Sequence, residues 1–221
     1  MSSSKIKFGS KTNGLGDILL LTSICKYAPK QFVIQIPEKQ KRFACLFEGL
    51  AETEITEAIN TLRDLGGGHY STRKLRCFFR EADLLDNRPL VIYSDYESEV
   101  WADNFLKENC FNKKPVVFQP DCSPQWRSVR KMPEPVADKA KQNLLKQGYF
   151  IIDVSAIKTI DLKKYICLLR KVGFYVGANT GDFHLAVSVG AVCNVYEPSN
   201  NQFFKDYEWD YEHSSIKYIK F

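Results

Sequence analysis

The sequence predicts an α/β protein of two lobes, each a parallel sheet with helices packed over it. Three observations predict this. Short aliphatic segments of strand character alternate with helical segments along the chain, the order that produces parallel sheets covered on both faces. The alternation halts at a polar break, NKKP at 112–115, and then restarts. Two turns rich in small residues, TNGLGD at 12–17 and GANTGD at 177–182, each stand where a strand hands over to a helix. The break divides the chain into residues 1–113 and 114–221.

In the first lobe, residues 6–9 read as a strand, and 17–27 as a helix stopped ahead of Pro29. Residues 32–36, within QFVIQIP, form a strand of period two. Residues 38–50 read as a helix and 53–56 as a third short strand. Residues 57–65 look helical until Gly66, Gly67 and Gly68 break the pattern. A basic-aromatic helix at 73–82, a strand at 89–94 and a helix at 97–109 complete the lobe.

The second lobe opens with a strand at 116–119, a proline-rich loop and a helix at 135–147 closed by Gly148. A strand at 149–154 leads to a helix at 162–172, for which Asp161 is a cap. A strand at 174–176, a helix at 182–189, a strand at 192–196 and a last strand at 216–221 follow. Ligands of such sheets sit at the carboxyl ends of the strands. Two such lobes would meet at a cleft.

Composition narrows the function classes. With 221 residues, 44% of them hydrophobic and 13% aromatic, the chain can bury a sizeable core. A net charge of +5 suits an anionic ligand, but the sequence lacks the dense basic stripe of a nucleic-acid binder. No apolar run approaches the roughly 20 residues of a spanning helix, and MSSSKIKFGS has no signal-peptide core. The seven cysteines form no CxxC pair and read as reduced thiols of a cytoplasmic protein. His69, His184 and His213 lie far apart, without metal-site spacing.

Three motifs carry chemistry. In TNGLGDILLLTS, Gly14 and Gly16 let a ligand approach the backbone, and a helix N-terminus favours anions. The segment matches neither GxxxxGK[ST] nor GxGxxG. Asp17 reads either as a functional carboxylate or simply as a helix cap. In GANTGDFHLAVSVGA, Asn179, Thr180 and Gly181 end a strand, and the next helix would point its positive end, with His184 on the first turn, at the same opening. The plainer reading is a histidine bonded to a neighbouring loop. In PDCSPQWRSVRKMP, Ser123, Arg127, Arg130 and Lys131, with Trp126 among them, follow a strand, where cations suit a diphosphate. The plainer reading is a solvated basic loop.

Together these segments resemble glycosyltransferase family 9, the ADP-heptose:lipopolysaccharide heptosyltransferases and their relatives. The family's G-x-GD-x-LL-x-T loop is similar to NGLGDILLLTS, its K-x-W-P element to Arg130-Lys131-Met132-Pro133, and its G-x-DTG-xx-HLA motif to GANTGDFHLA. The stretch GGGHYSTRKLRCFFREADLLDNRPLVIYS resembles its acceptor-side loop, with His69, Arg73 and Arg76 as the acceptor-side candidates. The resemblance implies a GT-B fold of two Rossmann-like lobes facing a central cleft, the first holding the acceptor and the second the nucleotide-sugar. It implies inverting, metal-independent transfer without a cofactor, from a nucleotide-diphosphate sugar (ADP-heptose by family default) to a glycan or lipid-linked sugar.

In that scheme Asp17 is the general base beside the loop of Asn13, Gly14 and Gly16. Ser123, Arg130, Lys131, Asn179, Thr180, Gly181 and His184 hold the donor. The protein would work in the cytoplasm or in peripheral contact with the membrane's inner face, in lipopolysaccharide or glycan biosynthesis. Two positions depart from the pattern: Asn179 stands for an aspartate and Arg130 for a lysine. Asn179 is therefore the residue expected to read a different donor or acceptor group. The alternative is a reduced, non-catalytic GT-B module that binds a nucleotide or glycan; a nucleotide-sugar epimerase of the same architecture is a third reading.

Overall fold

A computed structural model describes residues 5–10, 14–27, 31–60, 88–124, 127–154, 161–199, 211 and 213–221. Contacts divide the chain into two compact units, Met1–Tyr93 with Gln202–Tyr211, and Ser94–Asn201 with Glu212–Phe221.

In the first unit, β1 (Ile6–Gly9), β2 (Phe32–Ile36) and β3 (Glu52–Ile55) pair in parallel in that order. Phe8 lies opposite Ile34, and Ile34 opposite Thr53. β2 is the middle strand, and Val33 through Ile36 are buried without interruption. A parallel strand covered on both faces shows this rather than one-sided alternation. Helix α1 (Leu15–Cys25) is buried from Ile18 to Cys25.

The sequence predicts an α-helix over 38–50; Glu38–Phe47 instead winds as a 3₁₀ helix. Gln40, Phe43 and Leu46 are all buried, and a spacing of three stacks them on one edge of a helix with three residues per turn. Residues 57–60, expected to begin a helix, are tied to the sheet. The Asn60 N–H donates to Gln35 Oε1 at 2.8 Å, and Asn60 O accepts from the Gly9 N–H at 2.8 Å. The segment 89–94 keeps the alternation expected of a strand, with Val91 and Tyr93 buried and Ile92 49% exposed. Among the described residues it joins no ladder. Helix α1 takes its backbone instead: the Leu90 N–H donates to Thr22 Oγ1 at 3.0 Å, and Lys26 Nζ donates to Arg88 O at 2.7 Å. The expected helix at 73–82 lies outside the described residues.

The second unit is built on β4 (Lys114–Gln119), β5 (Tyr149–Asp153), β6 (Phe174–Ala178), β7 (Val192–Glu197) and β8 (Ile216–Lys220). All pair in parallel, in the order β5-β4-β6-β7-β8. Its helices are α2 (Tyr96–Cys110), the single turn α3 (Arg127–Arg130), α4 (Glu134–Lys146), α5 (Leu162–Val172) and α6 (Gly181–Ser188). Val116, Phe118, Val176 and Ala178 share a core with Ala140 and Leu144 of α4 and with Met132. A second core joins Ile152 to Ala102, Cys167 and Leu168, with Trp101 and Phe105 packed on it. As expected, Asp161 caps α5, accepting from the Lys163 N–H at 2.7 Å.

Helix α2 sits in this second unit. The sequence places it in the first lobe, ahead of a boundary at 113, whereas the contact division falls before it, after Tyr93. Glu99 of α2 meets Arg170 at 3.2 Å and Lys171 at 2.8 Å on α5, and Lys171 also meets Asp103 at 2.9 Å. Burial pushes the Glu99 carboxyl up, but Lys171, Cys167 and Ser94 outweigh it and hold the group below its usual range.

β4 and β6 approach closely where Gly177 lies opposite Gln119. A Cβ on Gly177 would stand 2.3 Å from the Gln119 carbonyl oxygen and 2.8 Å from the Tyr175 hydroxyl. Overpacking of this kind costs about 1–3 kcal/mol. Gly177→Ala is therefore expected to lower the unfolding free energy by that amount, read as a lower urea midpoint at unchanged slope; a midpoint equal to wild type would show that the two strands can separate freely.

Candidate functional site

The strand order creates the site of the second unit. The chain passes from β4 to β5 on one side, and β6 lies on the other. Loops leaving the carboxyl ends of β4 and β6 therefore diverge, which opens a crevice of the kind that binds ligands in such sheets. The β4 loop carries Ser123, Arg130 and Lys131, and the β6 turn carries Asn179, Thr180 and Gly181 with His184 beyond. The structure thus gathers the donor-side candidates at one edge.

The β4 loop is anchored by Met132, which is fully buried in the core and donates its N–H to Pro120 O at 2.9 Å. Arg127 grips Asp121 with both ends of its fork, Nε to Oδ1 at 3.1 Å and a terminal nitrogen to Oδ2 at 2.8 Å. Burial raises the Asp121 carboxyl, but the Cys122 N–H, Arg127 and Lys131 outweigh it and leave it lowered. Ser123 and Lys131 are exposed, while Arg130 is half-buried. Arg130 lies near enough to His184 for its charge to act on the imidazole. Burial first, and Arg130 second, push His184 down to about 3. A neutral imidazole beside a guanidinium is the result.

Helix α6 starts at this edge. Thr180 is its N-cap residue in extended conformation, and its hydroxyl does not cap the helix. Thr180 O accepts from the His184 N–H at 3.2 Å, which ties the histidine's own turn to the strand end. Asn179 is 1% exposed, and its Nδ2 donates to Glu197 Oε1 at 2.6 Å. The side chain expected to read the donor is thus engaged with β7. Asp182, on the first turn, is raised by burial against the opposing pull of Tyr165 and Gln119.

In the first unit, Asp17 is not the helix cap. Gly14 is the N-cap residue of α1, extended at φ −83° and ψ 134°, and Asp17 stands three positions into the helix. Its carboxylate folds back over Gly14: a Cβ there would lie 2.8 Å from Asp17 Oδ2. Asp17 is half-buried, and Gly16 is buried. The carboxylate therefore lies at the positive end of a buried helix. Asn13, His69, Arg73 and Arg76 lie outside the described residues. Among the described residues, no cluster of three His, Cys, Asp or Glu could hold a metal, and no helix is long and apolar enough to cross a membrane.

Several residues around the site escape a reading of the sequence. Glu197 is signalled only by an acid closing the apolar strand VCNVYE, and Asp182 stands inside the GANTGDFHLA motif. Gln119, Tyr165 and Lys220 carry no local mark.

The state of His184 is measurable. A histidine held at about 3 when folded and 6.5 when unfolded binds more protons when unfolded. Its contribution is complete above 6.5 and is lost as pH falls toward the folded value. About 1 kcal/mol of stability should disappear between pH 7.5 and 5.5, and His184→Asn should remove that part of the slope in chemical unfolding. A His184 ring proton titrating near pH 6.5 by NMR would contradict the buried neutral state.

Comparison of the sequence with protein-family models and with curated proteins gives no match. Solved structures do match the fold. A family 9 glycosyl transferase from Veillonella parvula superposes with a TM-score of 0.65 at 12% identity, over 99% of this chain and 86% of its own. The E. coli ADP-heptose lps heptosyltransferase II gives 0.63 at 11%, over 97% and 90%. An E. coli heptosyltransferase solved with ADP gives 0.53 at 13%, over 98% and 93%. At such identities the likeness is one of fold, and this chain, with its two parallel-sheet units, has the GT-B-type fold of the family 9 glycosyltransferases.

Proposed function

We propose that this protein is an inverting glycosyltransferase that moves a sugar from a nucleotide-diphosphate donor to a hydroxyl of a glycan or lipid-linked sugar. The observation that carries the reading is the array at the carboxyl ends of β4 and β6: Arg130 beside neutral His184, next to the uncapped start of α6. A cation and oriented N–H groups at a helix start are what a leaving diphosphate requires. The likeness in fold to a heptosyltransferase solved with ADP supports an adenine nucleotide and a heptose as the first donor to try.

In this reading Asp17 takes the proton of the acceptor hydroxyl as its oxygen attacks the anomeric carbon. The bond from that carbon to the diphosphate breaks on the opposite side, and the departing negative charge meets Arg130, Lys131 and the N–H groups of α6. His184, neutral, can donate a hydrogen bond without adding charge. Asn179, with its amide on Glu197, favours the second reading, a binding module without turnover, since the acid of the family motif is missing from the turn.

Asp17→Asn should cost about 10²–10⁴ in transfer rate while leaving ADP binding intact; transfer within a few-fold of wild type would remove Asp17 from the chemistry. Gly14→Ala should slow transfer with little loss of Tm, because the new methyl meets only the tip of the Asp17 side chain. Arg130→Ala should weaken ADP binding by about 1.5–3 kcal/mol and adenosine binding hardly at all. Equal effects on the two ligands by calorimetry would place Arg130 away from the phosphates. Donor binding without transfer to any acceptor, unchanged in Asp17→Asn, would establish the binding module.

A further inference from the structure

Glu197 is fully buried at the carboxyl end of β7. One carboxylate oxygen accepts from Asn179 Nδ2 at 2.6 Å, and the other is held by Lys220 of β8. Glu197 and Lys220 are register partners across β7 and β8, and Asn179 follows Ala178, whose partner on β7 is Tyr196. The three side chains therefore form a row across the ends of three strands. A carboxylate facing an amide at this distance fixes the amide's orientation, because only the NH₂ group can donate. A buried charge needs both a counter-charge and filled hydrogen bonds. Lys220 supplies the first, and Asn179 completes the second.

We propose that Glu197 is a positioning residue: through the Asn179 amide it holds the turn Asn179–Thr180–Gly181, and it is the reason position 179 is an amide rather than an acid. An aspartate at 179 would set two carboxylates at hydrogen-bond distance, where one must keep its proton or both must separate. A retained proton keeps the contact only at lower pH; once both groups are charged, their repulsion releases the turn from β7. The nucleotide role of that turn rests on the transferase reading; the coupling between 179 and 197 does not.

The experiment is a double-mutant cycle of Asn179→Asp, Glu197→Gln and the combined protein. In the combined protein the donor and acceptor trade places, so that the amide now at position 197 can donate to the carboxylate now at position 179. Asn179→Asp should lower Tm by about 5 °C or more at pH 8. The loss should be smaller at pH 5, since a raised carboxyl favours the fold below its unfolded value and loses that advantage as pH rises. The combined protein should recover more than half of the loss. ADP affinity should fall tenfold or more in Asn179→Asp and return to within about threefold in the combined protein.

Additive Tm losses in the combined protein would overturn the coupling. Equal ADP affinity in all four proteins, with Arg130→Ala weakened, would overturn the positioning role. Should wild type bind none of ADP, UDP and GDP, the nucleotide reading fails, and amide exchange at His184 decides the positioning of the turn. Exchange faster by tenfold in Asn179→Asp and restored in the combined protein is the expected result; unchanged exchange refutes it.

Discussion

The second unit depends on the parallel pairing of β4 with β6. Between Val117 and Gln119 on one strand and Tyr175 and Gly177 on the other, the backbones run so close that residue 177 has room only for hydrogen. Because β5 lies beyond β4 while β7 and β8 lie beyond β6, this one pairing is also where the chain reverses its direction of travel across the sheet. The tight approach and the opening above it share a cause: loops that leave a switch point in opposite directions cannot cover it. Met132, buried in the core directly after Arg130 and Lys131, anchors the β4 loop beside that opening.

Charge is arranged around the crevice by mutual constraint. Arg127 is committed to Asp121, which leaves Arg130 as the half-buried cation of the loop. Burial, with Arg130 adding to it, keeps His184 uncharged, so the imidazole does not compete with the guanidinium for an anion. Glu197 is answered by Lys220 and Asn179. Asp182 is pushed toward its neutral form while Tyr165 and Gln119 resist. The net result is a positive edge whose negative groups are each occupied.

A buried parallel strand announces itself as an aliphatic run, as β2 does; β2, the alternating β1 and the amphipathic α5 fall where the sequence puts them. So are the turns, since Asn-Thr-Gly between a buried strand and a helix has few other uses. Other features turn on partners distant in sequence. Residues 89–94 alternate as a strand does, yet their backbone is met by Thr22 and Lys26 of α1, about which the local pattern says nothing. Helix α2 looks local to the first half, but its charges match Arg170 and Lys171, some 71 residues on for Arg170. Asn179 looks like a donor-reading substitution, and only the fold brings Glu197 beneath it.

The ion pair across β7 and β8 also sets an order of events. Glu197 precedes Lys220 by 23 residues, so a growing chain presents the acid before the base that neutralises it. Until β8 is made and docked, a charge destined for the interior stays in water, and the strand end that carries it has reason to stay open. The crevice above β6 is then among the later parts of the unit to close. In refolding, the binding edge above β6 sets only once the strand bearing Lys220 has docked on β7.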